Sequence, residues 1–356
     1  MEASQQWKGI LPDQAESRLT HEHLTVCVEM LQHYSLLSAN LEAIDAAFEY
    51  LVSRVAKGAK GQYFTPRYVI ECCVQIMQPG SGEMVLDPAC GSGGFLIHAA
   101  SYVKDSSPSL NLEEYCKANL WGCEFDNRAI RVAKALMLIS GYETTNLFRL
   151  NSLLNLAQHG SLFENEATSQ LTVEDVTNLY LPGFKGFDII LTNPPFAGEM
   201  KEPGVLEAYE LSRGKQAIER DVLFLERCIQ LLRPGGRLAI IMPVNKLGAN
   251  SWTYLRTWLV QRVRIVSILS LGRNTFLPHT HQKADILFAI KRKQVISHPT
   301  NEEILFLISE KDGKDSRGQL ITRPGAQPDE AVWTRVNHDL GELVTDFHNF
   351  VRSSNI

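Results

Sequence analysis

Residues 83–104, EMVLDPACGSGGFLIHAASYVK, place an apolar strand, a glycine-rich bend and an amphipathic stretch in immediate succession. EMVLDPA (83–89) reads as a strand ending in a Gly-rich turn, and FLIHAASYVK (95–104) as the helix that follows. Glycine turns sharply and lets a ligand approach the backbone without a Cβ clash. Gly91-x-Gly93 is not the dinucleotide fingerprint, because the position three beyond Gly93 is Leu96. By itself the bend is also what a tight strand–helix connection requires.

The same unit recurs downstream. NLWGCEFD (119–126) reads as a strand and NRAIRVAKALMLI (127–139) as the helix after it. TTNLFRL (144–150), FDIILTN (187–193) and RLAIIMPV (237–244) supply three more strands, the last after the helix VLFLERCIQLL and the turn RPGG. VRIVSILSL (263–271) and ADILFAIKR (284–292) complete a set of seven. Strands alternating with helices predict an α/β, parallel, doubly wound sheet. The last two strands lack a helix between them, so one of them can run antiparallel. Leu41–Ala56 places Leu41, Ile44, Phe48, Leu51 and Val55 on one helical face. The pattern divides the chain into a helical N-terminal extension (1–60), a central domain (61–292) and a tail (293–356) with a candidate partner-docking helix at 341–351. Residues 152–182 and the polar stretch 197–219 stand outside the rhythm.

Composition narrows the function classes. The chain has 356 residues, 44% hydrophobic and 21% charged, as in an ordinary globular protein. No apolar run would span a bilayer, and the N-terminus lacks a signal peptide's basic start and apolar centre, so a cytoplasmic protein with no membrane contact is expected. Seven cysteines without a Cys-x-x-Cys pair suggest neither a disulfide framework nor a metal site. A net charge of −5 argues against a chain that grips nucleic acid tightly and unaided. Arg262–Arg264 and Lys291–Lys293 are candidate basic patches, with solvated strand ends as the competing reading.

Four groups of residues carry candidate chemistry. Asp87, Pro88, Gly91, Gly93 and Phe95 surround the first strand's end, where doubly wound sheets bind ligands. Glu124, at the next strand's tip, can accept hydrogen bonds from ribose hydroxyls. Asn193-Pro194-Pro195-Phe196 ends the fourth strand. Its two prolines stiffen a corner that presents two neutral acceptors, the Asn193 amide and the Pro194 carbonyl. Phe196 can stack on a purine. Thr65, before Pro66, reads as a helix N-cap with proline at the first helical position, and Tyr63 and Phe64 precede it.

Taken together, GQYFTPR, DPACGSGGFL, FDIILTNPPF, LRPGGRLAIIMP and TFLPHTHQKADILF resemble, in order, the signature segments of N6-adenine DNA methyltransferases. The likeness is to the modification subunit of type I restriction–modification systems and covers roughly Ile44 to Lys291. It implies a Rossmann-like class I methyltransferase fold and S-adenosylmethionine as cofactor. It further implies DNA as substrate, a separate specificity subunit as partner and a restriction subunit as a possible third component. By position, Asp87, Gly91 and Gly93 would line the methionine part of the cofactor, and Thr65, Tyr63 and Phe64 its carboxylate end. Glu124 would hold the ribose. Asn193, Pro194 and Phe196 would hold a flipped adenine. The family's usual acid near 151 is Asn151 here, an amide that can still hydrogen-bond adenine. The N-terminal helical region is shorter than is usual in such subunits. Two alternatives follow from the same motifs: a protein-glutamine or ribosomal RNA N-methyltransferase, which more often carries Tyr after the prolines, and an inactive methyltransferase fold kept as a binding module.

Overall fold

A computed structural model describes residues 19–33, 65–143, 146–154, 172–181, 183–298, 300–327 and 330–356. The helix expected at 41–56 lies outside these residues, as do Tyr63 and Phe64.

The chain begins with α1 (His21–Leu31), α2 (Arg67–Met77) and β1 (Val85–Asp87). Next come α3 (Gly94–Ser106), α4 (Leu112–Asn119), β2 (Leu120–Glu124), α5 (Asn127–Ile139) and β3 (Leu147–Arg149). After α6 (Val173–Tyr180) and β4 (Phe187–Thr192), a short pair, β5 (Glu199–Met200) and β6 (Ile218–Glu219), leads into α7 (Arg220–Leu231). The rest is β7 (Leu232–Pro243), α8 (Thr253–Arg262), β8 (Val263–Ser270), β9 (Ala284–Lys291), β10 (Leu305–Ile308) and α9 (Leu340–Ser353), with shorter helical turns between.

The main sheet has the order β3-β2-β1-β4-β7-β9-β8-β10. Every neighbouring pair is parallel except those made by β9, which runs antiparallel to both β7 and β8. The doubly wound α/β expectation holds, including one antiparallel strand among the last two. The strand count does not: the sheet has eight strands, and the eighth, β10, comes from the segment set apart as a tail. A four-residue strand ending in exposed polar sequence gives little alternation to read.

Side chains alternate between two cores. On β9, Ala284, Ile286 and Phe288 enter the cluster beneath α2, α3 and α5, while Leu287 and Ala289 enter the one beneath α7 and α8. Successive residues of a strand point to opposite faces, so a strand covered on both sides must be apolar throughout. That explains why β4 and β9 bury residues on both faces.

The helix expected at 341–351 spans Leu340–Ser353 and packs its apolar face inward. Leu340, Val344 and Phe347 join the core cluster of α2, and the Phe347 ring lies 5.5 Å from that of Phe288. The stretch 197–219 likewise differs from a polar excursion. Met200, Val205, Leu206, Tyr209, Leu211 and Ile218 are buried in the second cluster, and β5 and β6 close the segment's base. Within the candidate basic patches, Arg262 pairs with Glu210, Arg292 with Glu302, and Lys291 donates to the Leu232 carbonyl.

All seven cysteines are free thiols, six of them buried. No helix among the described residues is long and apolar enough to cross a membrane.

Because Phe347 fills the core, Phe347→Ala should destabilise the chain by about 3–5 kcal/mol, read from the urea unfolding midpoint. A cost typical of an exposed surface helix would contradict this packing.

Candidate functional site

The parallel strands β4, β1, β2 and β3 end side by side, and the predicted residues gather at those ends. β1 delivers Asp87, which is 1% exposed. One carboxylate oxygen, Oδ1, accepts from the Thr192 hydroxyl at 2.7 Å and from the Ala89 amide at 3.1 Å. Burial pushes this carboxyl up to about 7, against the lowering effect of those two hydrogen bonds. The next residue, Pro88, is buried, and its carbonyl accepts from the Ser152 hydroxyl at 2.6 Å.

The glycine bend follows. Gly91 has φ +52° and Gly93 φ +85°, conformations that other residues rarely adopt. A Cβ at Gly91 would meet nothing within 4 Å, so the backbone there borders open space. The Gly91 amide donates to Glu124 Oε2 at 3.0 Å, and the Asp126 amide donates to Glu124 Oε1 at 2.8 Å. Glu124 is thereby fixed against the bend. Burial raises its pKa, opposed by the two amides. Asn151 follows β3 and closes a local turn, its Oδ1 accepting from the Leu153 amide at 3.1 Å.

At the end of β4, Thr192 is fully buried and Asn193 begins the double-proline corner. Asn193 Nδ2 donates to the Thr65 hydroxyl at 2.9 Å. Its Oδ1 is shielded from solvent and has no hydrogen-bond partner among the described residues. Phe196 is 8% exposed, and its ring meets Phe276 edge-on at 6.0 Å.

Contacts join some of these residues: Thr65 to Asn193 and Gly91 to Glu124, while Thr192, next to Asn193, bonds Asp87. Three placements differ from the sequence reading. Thr65 is not the N-cap. The helix starts at Arg67 with Pro66 as its cap and no side-chain capping bond, because the Thr65 hydroxyl is engaged by Asn193. Phe95 is 3% exposed and packs in the core, where it anchors α3 instead of bordering the bend. Phe196 is turned into the protein against Phe276. Two residues were missed, Thr192 and Ser152. A hydroxyl at the end of the apolar run FDIILT was the available signal for the first; none marked the second. Among the described residues, no group of three or more His, Cys, Asp or Glu is arranged to hold a metal.

Fold and site together put a buried carboxylate, a glycine bend and an amide-bearing corner at neighbouring ends of a doubly wound sheet. The sequence profile of the N-6 DNA methylase family matches residues 40–333, and the chain belongs to that family. The type I restriction enzyme EcoEI methylase subunit of Escherichia coli is 31% identical over 247 residues, 69% of this chain and 44% of its own. The EcoKI methylase subunit of Escherichia coli strain K12 is 29% identical over 240 residues, 66% and 41% of the two chains. A solved modification subunit assigned to a type I restriction enzyme of Vibrio vulnificus YJ016 shares the fold. It has a TM-score of 0.65 at 22% identity, over 99% of this chain and 65% of that one. The chain spans less than half the length of the two curated relatives.

Burial of Asp87 sets a pH dependence with a definite sign. Its folded pKa, about 7, lies above the ordinary 3.8, so the folded state retains a proton that the unfolded state releases. The associated stability is complete below pH 3.8 and is lost as pH rises through about 7. The slope in that window should reach at most about 1.4 kcal/mol per pH unit. Denaturant unfolding of wild type and Asp87→Asn across pH 4–8 checks this, and the variant should lose this part of the dependence.

Proposed function

We propose that the chain transfers a methyl group from S-adenosylmethionine to N6 of a flipped adenine in DNA. In this reading it is a cytoplasmic modification subunit that works with a separate specificity subunit and, in a complete system, a restriction subunit. The observation that carries the reading is the Asn193 amide: its nitrogen is held by Thr65, and its oxygen is a buried acceptor with no donor. Leaving such an oxygen unpaired costs about 1–3 kcal/mol, and an exocyclic amine supplies the missing donor. Membership of the N-6 DNA methylase family and the methylase relatives support the same assignment.

The crevice suits the cofactor. Asp87 and Glu124 offer acceptors at neighbouring strand ends, suited to an ammonium and to ribose hydroxyls, and Gly91 leaves room beside them. In this reading Asn151 meets the adenine moiety, and Tyr63, Phe64 and Thr65 meet the carboxylate end. When bound, the cofactor supplies an electrophilic methyl on a sulfonium.

The protein's own part is to make a poor nucleophile competent. The N6 lone pair of adenine is delocalised into the ring. Asn193 Oδ1 and the Pro194 carbonyl accept its two hydrogens and favour a pyramidal nitrogen. Positive charge builds there as the new bond forms, so both contacts strengthen toward the transition state. The prolines keep the two acceptors fixed, which removes a reorganisation cost at the moment of reaction. Once alkylated, the nitrogen is acidic and loses its proton without a dedicated base. Phe196 replaces stacking that the base gives up on leaving the duplex.

Asn193→Ala should lower methyl transfer to DNA at least 100-fold while cofactor affinity, measured by calorimetry, stays near wild type. The assay is incorporation of labelled methyl with and without the specificity subunit, followed by nucleoside analysis for N6-methyladenine. Retained transfer, or label on another nucleoside, would overturn the assignment.

A further inference from the structure

Past β7 the chain makes a short helical turn (Val244–Gly248) and a 3-10 turn (Asn250–Trp252) before α8. Side chains from this stretch meet the end of the 197–219 segment and the start of α7. Lys246 is 4% exposed, with Nζ 3.4 Å from Glu219 Oε1 and 3.7 Å from Asp221 Oδ1. Both distances exceed a good charge-assisted hydrogen bond. The same ammonium lies 3.7 Å from the Trp252 ring centroid. Trp252 and Tyr254 follow at 5.6 Å with 33° between their planes, and Lys215 Nζ lies 3.7 Å from the Tyr254 centroid. Asp221 is fully buried; its Oδ1 accepts from the Val222 amide and its Oδ2 has no partner.

These residues form a ladder: two ammonium groups and two rings, with Tyr254, 39% exposed, on the solvent side. The ladder and the Asn193 corner lie at the same end of the sheet. β7 pairs with β4, Thr192 opposite Ile240, so both stretches leave the sheet at the same end. The Arg220 amide donates to the Gly198 carbonyl at 3.1 Å, which ties the residue before Asp221 to the second residue after Phe196.

We propose that Lys215, Lys246, Trp252 and Tyr254 form a platform for an unpaired nucleotide next to the flipped adenine; this rests on the DNA methyltransferase reading. Interleaved rings and cations are what single-stranded nucleic acid binds. Every base has a π-face to stack, and the Lys215 ammonium attracts a backbone phosphate. Lys215 covers a face of Tyr254 that a base would take, and its flexible stem lets the ammonium move to a phosphate. Glu219 and Asp221 hold Lys246 beneath Trp252 as a fixed charge.

The test uses a fluorescently labelled single-stranded 12-mer and anisotropy titrations of the full chain. Tyr254→Ala should weaken binding about tenfold or more, and Tyr254→Phe should restore it. Lys215→Ala should reduce the slope of log K against log salt by about 0.7, the release from one phosphate contact. Cofactor affinity should be unchanged in all three, which reports an intact fold. A wild-type chain that binds no oligonucleotide overturns the proposal. So does Tyr254→Ala binding like wild type, or Lys215→Ala keeping the full salt slope. If wild type methylates DNA adenine and Tyr254→Ala alters neither oligonucleotide binding nor KM for DNA, the platform fails and the function stands. If the variants behave as expected but no N6-methyladenine forms, the platform stands and the function fails.

Discussion

Asp87 sits at the end of β1 almost wholly out of water, and no cation pairs with it among the described residues. A buried carboxylate is expensive unless it is neutralised or hydrogen-bonded. Only the Thr192 hydroxyl and the Ala89 amide serve it. The first donor comes from β4 and the second from the glycine bend, so stabilising Asp87 requires strand and bend to be in register. Thr192 immediately precedes Asn193. The hydrogen bond that relieves Asp87 thus also fixes the corner on which the amide acceptor is mounted.

A second set of contacts holds the crevice's far wall. Arg227, on α7, is fully buried. Its guanidinium donates to the Tyr209 hydroxyl at 3.0 Å, to the Leu154 carbonyl at 2.9 Å and to Glu174. Tyr209 in turn donates to the Leu153 carbonyl at 2.7 Å. Tyr209 belongs to the segment after Phe196, Leu153 and Leu154 follow Asn151, and Glu174 is on α6. One charged group therefore joins three connections that would otherwise be independent. Removing one partner of such a buried pair costs far more than the pair itself contributes, because a charge is left unpaired. The wall beside Asn151 and the segment behind the corner consequently behave as one unit.

Much of this was legible in the sequence, for a specific reason. In a sheet covered on both faces, strands must be apolar throughout and their ends must turn, so EMVLDPACGSGG and FDIILTNPPF announce both the fold and the ends at which ligands bind. Glu124 and Gly91 were found separately at two such ends, and the structure joins them by a hydrogen bond. What escaped was side-chain direction. Thr65-Pro66 satisfies the local grammar of a helix cap, but the Thr65 hydroxyl bonds Asn193, 128 positions away. Phe95 and Phe196 are aromatic residues beside a ligand-binding turn, and nothing in local sequence distinguishes a ring facing the crevice from one facing the core.

The same limit explains the C-terminal segment. Strand β10 pairs with β8 from across the sheet's edge, and α9 reaches back to α2, the helix that begins just after Thr65. The Tyr68 hydroxyl donates to the Asp312 carbonyl at 2.7 Å, and the Asp312 carboxylate accepts from the Asn274 amide at 3.1 Å. Asn274 stands two residues before Phe276, whose ring meets Phe196. Residues that read as an appendage thus brace both sides of the Asn193 corner: the helix start that orients its amide, and the loop that closes on its aromatic ring. A short stretch without periodicity can be as structural as a long one with it when its contacts are made by single polar atoms, which leave no pattern along the chain.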